Sequence, residues 1–177
     1  KKLMKSKKNL VFLGMMGSGK STIGLLVAKR LGLKFIDIDR EIEKELGQTI
    51  KKIFEVKGEN FFRKYEEKIT LKKLKLDASV ISLGGGGFIN KNIRKTVLKN
   101  HVSFWLNCSE HLLLSRIRNS KKRPLSLNSN DNELIDLINK RSYIYSKALF
   151  EIKCDNFLKN EVVKKVLKIY ETYCIKN

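Results

Sequence analysis

The run Gly14-Met15-Met16-Gly17-Ser18-Gly19-Lys20-Ser21 carries the clearest chemistry in this sequence. It fits G-x-x-x-x-G-K-[ST], a loop whose glycines let backbone N–H groups turn toward phosphate oxygens. Lys20 can reach the β- and γ-phosphates, the Ser21 hydroxyl can ligate Mg²⁺, and Thr22 follows on the same turn. The context is right as well. The apolar run Asn9-Leu10-Val11-Phe12-Leu13 reads as a buried strand, and Ile23, Leu26, Val27 and Leu31 are spaced like one helix face. A helix starting there points the positive end of its dipole at an anion. A glycine-rich turn that binds nothing would not need all of these parts. The motif therefore predicts binding of a nucleoside triphosphate.

What receives the phosphate must be read from other residues. Asp37 and Asp39 stand two apart in Phe35-Ile36-Asp37-Ile38-Asp39, a run that predicts a strand, so their side chains are expected on one face. One carboxylate can serve Mg²⁺, and the other can orient and deprotonate an attacking hydroxyl. Either alone would be read as a turn or helix cap, Asp39 for the helix after it. Arg63 has Glu66 one helical turn on, which either holds its guanidinium in place or forms a surface ion pair of little worth. Gly84 to Gly87 allow a close backbone approach to a substrate, or simply a tight turn. The chain uses 30 Lys but 8 Arg, so each Arg is a candidate for a task that needs a planar donor fork.

The elements that must position these groups alternate strand and helix, which predicts a parallel sheet. Strands are expected near 9–13, 35–39, 80–83, 101–106 and 150–154. Helices are expected from the phosphate loop to Leu31, near 40–46, 50–56, 59–75, 90–99, 109–119 and 132–148, and at 160–174. Gly32, Gly47 and Gly58 act as stops. The fold class is α/β, a three-layer fold of the P-loop NTPase type, with a central five-stranded parallel sheet flanked by helices. One domain spans 1–177, with its substrate-binding region at about 37–66. The polar segment 120–131 holds Arg123 and the single proline, Pro124, and predicts a mobile lid over about 119–131. Lys20, Mg²⁺ and Arg123 would neutralise the transferring phosphoryl group, and a closed lid would exclude water.

Composition narrows the function classes. With 177 residues and 42% hydrophobic content, the chain can bury a core. No apolar run approaches the ~18–20 residues that span a bilayer. The basic start (Lys1, Lys2, Lys5, Lys7, Lys8) is not followed by a signal-type apolar core. Cys108, Cys154 and Cys174 are scattered without metal-binding spacing and read as reduced thiols of a cytoplasmic protein, with Cys154 in the core of a strand. The net charge of +20 is spread along nearly every helix, without a basic tail or aromatic-interleaved patch, so specific nucleic-acid binding is not expected. A small-molecule acceptor, no membrane and a monomeric state are expected instead.

Taken together these segments resemble the shikimate kinases. The resemblance rests on Gly14 to Thr22, Asp-Ile-Asp at 37–39 and Gly-Glu-Asn-Phe-Phe-Arg-Lys-Tyr-Glu at 58–66. It continues through Ser-Leu-Gly-Gly-Gly at 82–86, Arg-Pro-Leu at 123–125 and Lys-Arg with Tyr at 140–143. It implies ATP-dependent phosphorylation of the shikimate 3-hydroxyl, with ATP and Mg²⁺ required. It implies that Asp39 binds ring hydroxyls as candidate base, while Arg63 and Arg141 hold the substrate carboxylate beside Gly84, Gly85 and Gly86. ATP would lie on Gly14, Gly17, Ser18, Gly19, Lys20, Ser21 and Thr22, with Arg116 near adenine and Arg123 reaching from the lid. Ser21, with Asp37 through water, would serve Mg²⁺. Two departures from the usual pattern stand out. Cys154-Asp155-Asn156-Phe157-Leu158 lacks the adenine-side Arg of many members, and Gly87 replaces a frequent Ala.

Overall fold

In the computed structural model, residues 7–119, 130–155 and 157–176 are described. Strand β1 (Leu10–Leu13) is apolar at every position and wholly buried. That pattern belongs to the middle of a parallel sheet covered on both faces. β1 is flanked by β3 (Ser79–Ser82) and β4 (Val102–Asn107). β2 (Lys34–Asp37) and β5 (Phe150–Lys153) lie outside them, giving the order β2-β3-β1-β4-β5 with every pairing parallel. Phe12, Phe104 and Phe150 stand in register across β1, β4 and β5, their rings 5.6 and 5.2 Å apart. All five expected strands are present.

Helix α1 (Lys20–Leu31) springs from the phosphate loop and ends at Gly32, whose left-handed backbone (φ 61°) returns its N–H to Ala28 and Lys29 carbonyls. It packs on β1, β2, β3 and the closing helix α7 (Lys159–Lys176). Gly24 permits that approach: a methyl there would lie 2.8 Å from Phe35 Cε2. α4 (Lys91–Asn100), capped by Asn90, lies on β4, with α3 (Ile50–Leu74) beside it. α5 (Glu110–Arg118) starts from a Ser109 cap, and α6 (Asp131–Tyr145) from a reciprocal Asn130–Glu133 capping box.

The reading of residues 35–39 is corrected. The strand at 35–39 stops at Asp37, and α2 (Ile38–Leu46) begins at once. Asp37, not Asp39, is the cap: its backbone is extended, and its Oδ1 accepts from Arg40 N at 3.3 Å. The two aspartates therefore do not share a strand face; Asp39 stands in the first turn of a helix. The two helices expected at 50–56 and 59–75 are both present within α3, which breaks at Gly58 (φ 79°, ψ 169°), the residue expected to stop the first of them. Cys154 lies just past β5, still buried.

Arg123, Pro124 and the body of the expected lid, 120–129, lie outside the described residues. No described helix is long and apolar enough to cross a membrane.

Candidate active site

A cleft of about 430 Å³ opens at the carboxyl ends of the strands, where open α/β sheets place their ligands. Its floor is the phosphate loop, Met16 to Ile23. Asp37, Asp39, Leu83 and Gly85 form one wall; Arg116, Cys154, Phe157, Lys159 and Val162 form the other. The loop is shaped by glycines where a side chain would fail. Gly14 has φ 140°, and a methyl on it would lie 2.8 Å from the Leu106 carbonyl oxygen. Gly19 (φ 96°) precedes α1, and among the described residues no side chain caps that helix. Its first N–H groups are thus left for an anion. Lys20 is buried, its Nζ donating to Met15 O at 2.9 Å across the loop. Ser21 and Thr22 are exposed to the cleft. Arg116 Nη1 donates to Gly17 O at 2.9 Å, so this arginine braces the loop from α5.

Beside the loop lies a second cluster, organised by Gly84 to Gly87 after β3. Arg63, on α3, donates from Nη1 to Glu66 Oε2 at 2.8 Å and from Nε to Glu59 Oε1 at 3.2 Å. Glu66 is only 2% exposed, so the surface-pair alternative falls away. Burial raises the Glu66 carboxyl above its usual range, with Arg63 and Arg141 pulling the other way. Burial works against the Arg63 cation, but Glu66 and Glu59 outweigh it and raise its pKa. Among the described residues Glu66 Oε1 has no hydrogen-bond partner, and it faces Gly84. A methyl on Gly84 would lie 2.6 Å from that oxygen and 2.7 Å from Asp39 Oδ1, so both carboxylates crowd one bare backbone position. A methyl on Gly86 would run into the Arg63 guanidinium, with Cζ 2.7 Å away. A methyl on Gly85 would lie 3.4 Å from Met16 N and 3.6 Å from Arg141 Nη1, so this position joins the cluster to the phosphate loop and to α6. Tyr145, on α6, donates its hydroxyl to Gly85 O and is pushed up to about 12, chiefly by burial.

Asp39 ends up between the two halves. Burial first, then the Glu66 and Asp37 charges, raise its carboxyl from 3.8 to about 7, against Lys20 and Arg63. A carboxyl poised there can take a proton near neutral pH.

Lys20, Ser21, Asp37, Asp39, Arg63, Gly84–Gly86, Arg116 and Arg141 thus come together around one cleft and its adjoining cluster. Tyr145, Phe157, Lys159 and Val162 escaped sequence reading. Phe157 had one signal, an aromatic just past the last strand, where Lys165 Nζ sits over its ring.

Among the described residues no group of three or more His, Cys, Asp or Glu could hold a metal ion. What the cleft does offer is the Ser21 hydroxyl and the Asp37 carboxylate, oxygen donors that suit Mg²⁺ held jointly with phosphate oxygens.

A family model described as "Shikimate kinase" matches residues 16–171. Among curated relatives, a shikimate kinase of Caldicellulosiruptor bescii is 40% identical over 164 residues, covering 92% of this chain and 95% of its own. One of Bartonella quintana is 38% identical over 168 residues, covering 94% and 80%. Among solved structures, a shikimate kinase from Acinetobacter baumannii in complex with shikimate superposes with a TM-score of 0.90 at 30% identity, covering 96% of each chain.

Proposed function

The chain belongs to the shikimate kinase family, and on that premise we propose that it transfers the γ-phosphoryl group of ATP to the 3-hydroxyl of shikimate. ADP and shikimate 3-phosphate are the products, a step toward chorismate and the aromatic amino acids. One observation carries the reading at residue level: Gly84 to Gly86 bring Arg63, Arg141 and Asp39 against the phosphate loop. A compact polyol carrying a carboxylate needs this combination. The guanidinium forks take the carboxylate, and Asp39 takes the hydroxyl. Glu66, from beneath, fixes the direction of the Arg63 fork.

Phosphoryl transfer asks for positioning and charge neutralisation more than covalent chemistry. In this reading Lys20 and the N-terminus of α1 receive the phosphates, Arg116 and Phe157 flank the base, and Arg123 would add a further cation for the phosphates. Ser21 and Asp37 would hold Mg²⁺, which neutralises the β- and γ-phosphate oxygens when bound. Asp39 accepts the hydroxyl proton as the oxygen attacks.

The direct test is ADP release from Mg-ATP with shikimate, with gluconate and with no acceptor. The reading expects release that depends on shikimate; gluconate-dependent release alone would overturn it.

The Asp39 role has its own signature. A base with pKa about 7 in the free enzyme makes kcat/KM fall as pH drops through about 7. An Asp39→Asn enzyme with near-normal turnover would sink the assignment. Stability should move the opposite way to activity. The folded value lies above the ordinary 3.8, so the folded chain binds this proton more tightly than the unfolded chain does. Unliganded stability from this group therefore falls as pH rises from about 4 to about 7. Asp39→Asn should remove that fall and melt above the parent at pH 8; parallel melting curves across pH would refute it.

Arg63→Lys tests the fork. Lysine keeps the charge but loses bidentate geometry, so KM for shikimate should rise about tenfold or more with KM for ATP little changed. Unchanged KM for shikimate would separate Arg63 from the carboxylate.

A further inference from the structure

Cys154 is buried in the wall of the nucleotide side of the cleft, Cys108 is buried under the phosphate loop beside it, and phosphoryl transfer uses neither. β4 and β5 pair in parallel register up to Asn107 and Lys153, and Cys154 N donates to Asn107 O at 2.9 Å. The two cysteines are the next register step, so their side chains point to the same side. Neighbouring parallel strands lie about 4.8 Å apart, inside the Cα separation that a disulfide spans. The residues that follow are tied as well, Ser109 N donating to Asp155 Oδ1 at 2.5 Å. Cys154 Sγ donates to Ile152 O at 3.2 Å, and the two thiols are near enough to perturb each other. Cys108 Sγ also donates to Ser18 O of the phosphate loop at 3.6 Å, and Cys154 lines the cleft itself.

We propose that this pair is an oxidation site: a hydroperoxide entering the empty nucleotide cleft converts Cys108 and Cys154 to a disulfide that disables the phosphate loop, and bound nucleotide shields it. The Cys108 sulfur attacks one peroxide oxygen, the O–O bond breaks, and the leaving hydroxide takes the thiol proton away as water. Cys108 is then a sulfenic acid. The Cys154 sulfur attacks the Cys108 sulfur, the S–S bond forms, and the S–O bond breaks. Hydroxide leaves with the Cys154 proton as a second water. Two thiols are oxidised and one peroxide is reduced. The roles suit the environments. Contact with Cys154, helped by Arg116, holds Cys108 below the usual thiol range despite burial, while contact with Cys108 and burial push Cys154 up. Thiolate character at Cys108 makes it the attacking sulfur.

Oxidation removes the S–H donor from Ser18 O and draws the two strand ends together under the loop. Ser18 also donates its own N–H to Met15 O, so the shift reaches the turn that faces the phosphates. The shielding arm rests on the nucleotide reading above; the bond itself does not.

The full chain is treated with hydrogen peroxide at neutral pH, alkylated, digested and mapped by mass spectrometry. The expected map shows Cys108 joined to Cys154 with the loss of two hydrogens and Cys174 alkylated. ADP release falls about a hundredfold, as a small displacement of positioning groups can cause, and dithiothreitol restores it. Saturating Mg-ADP prevents the cross-link. Cys108→Ser and Cys154→Ser chains, each compared with its own untreated rate, lose the reversible inhibition. Absence of the cross-linked peptide, linkage through Cys174, or full cross-linking with an unchanged rate would each overturn the proposal. If the serine variants do not fold, the map of the parent chain decides. If the parent lacks activity on shikimate, the map and the binding of a fluorescent ADP analogue before and after peroxide decide, so failure of the kinase reading is told apart from failure of this one.

Discussion

A Lys20→Met enzyme is expected to turn over about a thousandfold more slowly than the parent, the upper range for removing one preorganised group that meets developing charge. Methionine keeps the length and the apolar stem, so what is lost is the cation. Lys20 is almost fully buried, and its ammonium is held across the loop by Met15 O. A buried, fixed charge acts in a low dielectric and needs no reorganisation when the phosphoryl group moves. Because that charge matters most as the phosphoryl oxygens take up the leaving electrons, kcat should fall more than KM for ATP rises. Steady-state ADP release and a melting curve check this together. A loss of less than about tenfold would show that Arg116 and the helix N-terminus suffice.

Gly84→Ala should be nearly as damaging, by a different route. The added methyl would sit 2.6 Å from Glu66 Oε1 and 2.7 Å from Asp39 Oδ1, and the site is buried. Something must move. If Glu66 turns away, Arg63 loses its 2.8 Å brace; if Asp39 turns away, the acceptor hydroxyl loses its partner. Either displacement is about an ångström, enough to cost about a hundredfold in kcat/KM for shikimate. The phosphate loop lies on the other side of Gly85, so ADP affinity should hold within a few-fold. Parallel losses of shikimate turnover and ADP binding would mean that the glycine loop supports the whole cleft, and the local account would be wrong.

The nucleotide half of the site was legible because its physics is local. A glycine turn, a lysine and a helix N-terminus are contiguous in Gly14–Ser21, and the flanking apolar runs marked β1 and α1. The parallel sheet followed from the alternation of elements, whereas its strand order did not. The acceptor half depended on contacts between distant segments. Ile36 and Ile38 are both apolar, so alternation runs smoothly through a boundary that Asp37 sets by capping α2. An Arg63–Glu66 pair one turn apart looks the same in sequence whether it faces water or Gly84. Only the approach of the loop after β3 buries Glu66. Gly58 was legible because its effect is local: its positive-φ backbone breaks α3 between Ile53 and Phe62, which both reach the core. Tyr145 and Cys154 carry no motif at all; their places come from packing against the Gly85 carbonyl and Cys108.

The sheet order also governs the nascent chain. Leu10-Val11-Phe12-Leu13 leaves the ribosome first among the strands, yet its two neighbours are residues 79–82 and 102–107. At usual synthesis rates this apolar segment waits roughly ten seconds with both edges open. Lys7 and Lys8, exposed just ahead of it, are the charges that discourage pairing with other chains in that interval. The phosphate loop waits too, since Gly14 is shaped against the Leu106 carbonyl, which emerges late. ATP therefore cannot act as an early folding template: competence to bind it arrives only when β4 docks, and until then the central strand has its flanking charges to keep it apart.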